Sequence, residues 1–145
     1  MVQVAFPEHD FRMRNNAGKR QVYDECRRKW VAFTPEEWVR QNFLQYLLKV
    51  LNYPGSLIAV EKELVLGELK KRFDILVYNQ AHQPWLMVEC KAMDVRLDEE
   101  VLHQVLRYNM AMPVRYLVIT NGHFSYCFER KDNGLDMRLE LPSHS

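Results

Sequence analysis

Apolar and polar positions repeat along this chain with two different periods, and the switches between them mark its elements. Thr34-Pro35-Glu36-Glu37 opens a helix: Thr34 suits the cap, Pro35 the first helical position, and Glu37 completes a capping box. Trp38, Phe43, Leu44, Leu47, Leu48 and Leu51 then recur on one face, and Asn52-Tyr53-Pro54-Gly55 ends the run. SLIAVEKELVL (56–66), RFDILVY (72–78) and WLMVECK (85–91) follow with strand character. Residues 98–112 predict a second helix, and RYLVITN (115–121) and FSYCFER (124–130) predict two strands around Asn121-Gly122-His123. MRLEL predicts a short last strand, and residues 1–33 read as an N-terminal arm with peripheral strands, the best pair lying within 19–33. The order α-β-β-β-α-β-β puts a helix between the third and fourth strands. That predicts an α/β domain over residues 34–142 with a central mixed sheet flanked by helices.

Composition narrows the class without naming a function. The 145 residues suit one domain with a substantial core, at 48% hydrophobic and 27% charged residues. A net charge of +1 means that any binding of phosphate has to come from local patches. Cys26, Cys90 and Cys127 are odd in number and lack metal-ligand spacing, so they read as free thiols in a reducing cytoplasm. The five histidines are scattered with no HExxH pattern, and no GxxxxGK[ST] loop occurs. The first residues carry no signal-peptide run and no stretch reaches membrane-spanning length, which leads us to expect a cytoplasmic protein with no membrane association.

Candidate chemistry concentrates on the two central strands. If residues 79–84 close a symmetric hairpin, Tyr78 faces Trp85 and Asp74 faces Glu89. Alternation then puts Phe73, Ile75, Val77, Leu86, Val88 and Cys90 on an apolar core face. The opposite face holds Leu76, Tyr78, Trp85 and Met87 at one end and Asp74, Glu89 and Lys91 at the other. Carboxylates directly opposed across a strand pair sit about 4.5–5.5 Å apart. At an effective dielectric near 20 they repel by about 4 kcal/mol at 4 Å. A proton, Lys91 or a divalent cation would relieve this, and all-oxygen donors suit Mg²⁺. The same three residues also describe an ordinary solvated salt-bridge cluster, and the residues alone leave both readings open.

Asp74 followed by Glu89-Cys90-Lys91 resembles the D…(D/E)-X-K signature of the PD-(D/E)XK nuclease superfamily. Thr34-Pro35-Glu36-Glu37-Trp38-Val39-Arg40-Gln41, Gln104-Val105-Leu106-Arg107-Tyr108-Asn109 and Leu117-Val118-Ile119-Thr120-Asn121-Gly122 are similar, in order, to blocks of one branch of it. That branch is the N-terminal nuclease domain of type I restriction enzyme R subunits, and the sequence looks like its small stand-alone members. The likeness runs from about Lys19 to Pro142, with Met93 standing where a proline is common.

The resemblance implies a restriction-endonuclease-like fold and Mg²⁺-dependent DNA cleavage, with Mn²⁺ as a substitute. It implies that Asp74 and Glu89 bind the metal with the Cys90 backbone carbonyl, and that Lys91 is the catalytic lysine. Glu37 matches an upstream helix acid that supports the metal or its waters, although a capping glutamate looks the same in sequence. Gln104 and Tyr108, four residues apart, would share a helix face toward the site. Glu61 matches a strand acid of less defined role. Lys71 and Arg72, next to Lys70, and Arg107 are candidates for holding DNA, whereas Arg27, Arg28 and Lys29 read as solvated surface. The implied partners are DNA and motor or specificity subunits, or a second copy. The alternative function is a DNA-binding or partner-docking module that keeps the constellation but cuts little alone.

Overall fold

The structure is a computed structural model that describes residues 1–112 and 114–144. Strands β4 (Ile58–Leu66), β5 (Leu69–Tyr78), β6 (Pro84–Cys90), β7 (Tyr116–Thr120), β8 (Ser125–Lys131) and β9 (Gly134–Arg138) form one six-stranded sheet in sequence order. Only β6 and β7 pair in parallel, and helix α2 (Glu99–Asn109) makes the crossover between them. Strands β1 (Met13–Asn16), β2 (Lys19–Asp24) and β3 (Lys29–Ala32) form a separate antiparallel meander ahead of helix α1 (Pro35–Gln45). The expected α/β class and mixed sheet are therefore present, and the strands expected at the periphery of residues 1–33 form a second small sheet of three. Among the described residues no helix is long and apolar enough to cross a membrane.

Helix α1 begins as its sequence predicts, with Thr34 Oγ1 accepting from the Glu37 N–H at 3.0 Å. It ends earlier than the apolar period suggests. Residues Tyr46–Val50 widen into a π-helical turn, and the Tyr53 N–H donates to the Leu47 carbonyl. Val39, Phe43 and Leu44 of α1 and Leu47 of the π-helical turn pack against Ile75, Val77, Leu86, Val88 and Cys90 of the sheet. On the opposite side Val105 of α2 packs over Leu76, Met87, Leu117 and Ile119. Asp98 caps α2, accepting from the Val101 N–H at 2.9 Å.

Two details of the expected hairpin are corrected. Ile75, Leu76 and Val77 face Val88, Met87 and Leu86 as symmetric closure requires, but Tyr78 pairs with Pro84 and not with Trp85. Trp85 becomes the extra residue of a bulge and turns into the α1-side core beside Tyr53 and Tyr116. Phe73 leaves the face of Ile75 and packs in the α2-side core. The alternation slips at Asp74, opposite Glu61, whose φ of +53° is a left-handed conformation seldom adopted by residues other than glycine and asparagine.

The Thr120-Asn121-Gly122 turn locks the loop that follows Lys91. The Asn121 side chain donates to the Val95 carbonyl at 2.8 Å and accepts from the Phe124 N–H at 2.8 Å. Gly122 has φ +91°, and a Cβ there would meet Val39 and Met93 at 3.4 Å. Only glycine suits both demands.

Candidate active site

Asp74 is fixed from two sides. Its Oδ2 accepts from the Cys90 N–H at 2.8 Å, and its Oδ1 accepts from Arg40 Nη2 of α1 at 2.7 Å. The slip in alternation makes this possible, because it places Asp74 between the two layers and not wholly on either face. Glu89 leaves the next strand on the α2 side, and Lys91 Nζ stands 3.6 Å from its Oε1. Burial first, and then the nearby Asp74, push the Glu89 carboxyl up from its ordinary 4.5 to about 7, with Lys91 pulling the other way. Glu89 and Lys91 thus open toward α2, whereas Asp74 is turned to Arg40 and reaches Glu89 through its field. Among the described residues, no three side chains of the His, Cys, Asp and Glu types converge as a metal-holding group. The Cys90 thiol is buried in the core.

Helix α1 contributes a guanidinium and a different acid from the one expected. Glu37 is buried, and its carboxylate accepts from Arg40 Nη1 at 2.7 Å, Arg27 Nη2 at 2.8 Å and Gln41 Nε2 at 3.1 Å. It therefore does not reach back to complete a capping box, and it meets the site only through Arg40. Glu36 is the helix acid whose field reaches Asp74 and Lys91: burial first, then Asp74, raise its pKa. Arg40 Nη2 lies 2.7 Å from Asp74, 2.8 Å from Glu61 and 3.1 Å from Glu36. Burial opposes its charge, but the hydrogen bond from Arg40 to Asp74 and the other acids outweigh burial and raise its pKa. Its Nε is buried without a partner.

Sequence reasoning missed Arg40 and Glu36 as parts of the site. Arg40 reads as an ordinary i, i+3 helix partner of Glu37, and Glu36 sits one turn from it at i, i+4. The available signal was the one-turn spacing itself, which puts both side chains on the helix face that meets Asp74.

The α2 side opens into a cleft of about 510 Å³ lined by Arg72, Glu89, Lys91, Gln104, Val105, Tyr108 and Asn109. Gln104 and Tyr108 therefore share the face expected of them. Lys71 is buried, its Nζ 3.8 Å from the Tyr108 ring centroid, and burial lowers its pKa despite the pull of Glu89. It packs on a residue that lines the cleft and is not a free surface cation. Arg72 borders the cleft while donating toward Glu61 at 2.9 Å. Arg107 is exposed and outside the cleft lining.

A larger cleft of about 600 Å³ lies between Arg115 and the β8–β9 turn. Of its acids, Glu129 is held at about 2 by hydrogen bonds from Arg115 and Arg138, with Lys131 3.4 Å away. Glu129 is thus already paired with three cations, whereas Glu89 has its pKa raised.

A mixed sheet whose central strands carry Asp74, Glu89 and Lys91, the last two lining a cleft, defines an α/β domain with a charged candidate site. The family model described as "type I restriction enzyme R protein N terminus" matches residues 35–141, and the chain belongs to that family. Membership implies a restriction-related nuclease role. No match was found among the curated proteins.

Proposed function

We propose that this chain is a Mg²⁺-dependent nuclease domain that hydrolyses phosphodiester bonds of DNA on a restriction-endonuclease-like scaffold. The observation that carries the reading is the half-buried Glu89 beside Asp74, with the Lys91 amine 3.6 Å from Glu89 at the mouth of a cleft. The donors fit a hard cation: both are carboxylates, and their mutual field already burdens Glu89. Asp74 and Glu89 would hold Mg²⁺ or Mn²⁺, with the Cys90 carbonyl as a further oxygen. When bound, the ion supplies Lewis-acid neutralisation of charge on the phosphoryl oxygens.

The other roles belong to the chain's own residues. Arg40 holds Asp74 in place, and Lys91 presents an ammonium to the attacking water and to the developing negative charge. Gln104 and Tyr108 line the approach of the phosphate, with Lys71 and Arg72 beside them. Glu61 and Glu37 act through Arg40, on which both converge. Arg107, exposed beyond the cleft lining, contacts DNA outside it. The setting is the cytoplasm, and the partners are DNA with motor and specificity subunits or a second copy of the chain.

Plasmid nicking with Mg²⁺ and Mn²⁺ calorimetry test the reading together. Asp74→Ala abolishes both nicking and metal binding, whereas Lys91→Ala abolishes nicking and leaves metal binding intact. Metal binding without cleavage of supercoiled, linear or single-stranded DNA would instead make the chain a docking module with a nuclease fold.

A further inference from the structure

Charge is distributed unevenly along this nearly neutral chain. Residues 11–33, which contain the β1–β3 meander, carry seven cations (Arg12, Arg14, Lys19, Arg20, Arg27, Arg28 and Lys29) against two acids, Asp24 and Glu25. That is a net of +5, so the rest of the chain carries −4 within a total of +1. The family match begins at residue 35, after the meander.

The meander's two faces differ. Val22 and Val31 pair across strands on one face, with Val22 fully buried. Tyr23 pairs with Trp30 and Arg14 with Gln21 on the other, and the Tyr23 N–H donates to the Arg12 carbonyl, which sets Arg12 beside them. On this outer face the Arg12 guanidinium lies 4.7 Å from the Tyr23 ring centroid and 5.4 Å from that of Trp30. The Arg14 guanidinium lies 4.4 Å from the Trp30 centroid. An arginine whose flat face rests on an aromatic ring keeps its N–H edge for a planar anion and loses little freedom on binding one. Of the seven cations, only Arg27 forms an ion pair among the described residues. A folded face of stacked, acid-free arginines has the charge complement of a phosphate backbone.

We propose that the outer face of β1–β3, through Arg12, Arg14 and Lys19, docks the phosphate backbone of duplex DNA. The inference extends the nuclease reading by adding a docking surface outside the catalytic cleft. The surface is mechanically tied to that cleft. Arg27 at the β2–β3 turn and Arg40 of α1 both donate to Glu37 Oε1, and Arg40 donates to Asp74. Asp24, fully buried, accepts from Gln41 of α1 at 2.9 Å. DNA held on the meander is therefore held in fixed relation to Asp74.

Fluorescence anisotropy with a labelled DNA duplex in EDTA, from 50 to 200 mM salt, separates this inference from catalysis. The Arg12→Gln/Arg14→Gln/Lys19→Gln variant should bind more weakly, with the log–log salt slope reduced by about 2.7 for three lost phosphate contacts. Over that fourfold salt range, wild-type affinity should then fall about 40-fold more than that of the variant. Arg12→Lys/Arg14→Lys, which keeps the charge, should restore the slope, and equal melting temperatures would verify that all three proteins are folded. An unchanged slope in the triple variant overturns the inference even if the wild type nicks plasmid. A reduced slope sustains it even if no metal supports nicking. Wild-type binding to poly-glutamate with none to DNA would overturn it in favour of an acidic protein partner.

Discussion

Replacing Glu89 with glutamine should stabilise the metal-free protein at alkaline pH. Glutamine mimics the protonated carboxyl in size and polarity but cannot ionise beside Asp74. In the native wild type the Glu89 carboxyl is raised from its ordinary 4.5 to about 7 by burial and by Asp74. Between those two values the folded chain holds a proton that the unfolded chain has released. The raised pKa therefore stabilises the fold fully only below pH 4.5, and that contribution is lost as pH rises to about 7. Each pH unit in the window costs about 1.4 kcal/mol, so the whole span costs about 3 kcal/mol. This is an upper value, because the Glu89 side chain remains 26% exposed to water. Urea unfolding in EDTA reads the effect. With an m-value of about 2 kcal/mol/M, the midpoint of Glu89→Gln should exceed that of the wild type by about 1.5 M at pH 8. At pH 5 the gap should shrink to about 1 kcal/mol or less. Saturating Mn²⁺ should narrow the gap at pH 8, since a ligand at 100 times its Kd stabilises the wild type by about 2.7 kcal/mol and the variant lacks one donor. Equal gaps at pH 5 and pH 8 would refute the reasoning, because Glu89 would then be ionised throughout and under no strain from its neighbour.

Two further predictions concern the framework. Arg40→Leu strips the shared cation from Asp74, Glu37, Glu61 and Glu36 and should cost about 3–5 kcal/mol in urea unfolding at pH 7; a loss under 1 kcal/mol would mean that water already screens those acids. Gly122→Ala combines a disfavoured φ with contact on Val39 and Met93 and should cost about 1 kcal/mol or more, read as a lowered melting temperature.

Much of this was legible before any coordinates, and the parts that were not share a cause. Symmetric closure gave the correct pairing of Ile75, Leu76 and Val77 with Val88, Met87 and Leu86 because two apolar faces leave little choice of register. It failed at Tyr78 because Pro84 has no N–H for the ladder, and a bulge absorbs the defect by turning Trp85 inward. It failed again at Phe73 because a left-handed residue lets the alternation slip, and Glu61 carries no glycine-like signature of that conformation. The helix start was read correctly from Thr34 and Pro35, yet the acid was assigned by local capping rules. Arg27, ten residues earlier in the chain, and Arg40 claim Glu37, and a pairing of that kind is set by tertiary packing. The meander was placed only as peripheral strands because its short apolar runs are interrupted by charges on both of its faces.

The same geometry decides from which side a substrate can approach. Asp74 has both oxygens committed, one to α1 through Arg40 and one to the β6 backbone, and is 8% exposed. Across the sheet toward α2 the side chains become progressively more open, with Glu89 at 26% and Lys91 at 34% exposure and Tyr108 at 60% overall. A phosphodiester arriving from the α1 side would have to displace Arg40 from four carboxylates at once, in a setting where breaking one buried ion pair already costs about 3–5 kcal/mol. One arriving from the α2 side meets Glu89, Lys91, Gln104 and Tyr108 with no such barrier. Asp74 is therefore the fixed point of the site, and Glu89 and Lys91 are the groups free to respond to what binds.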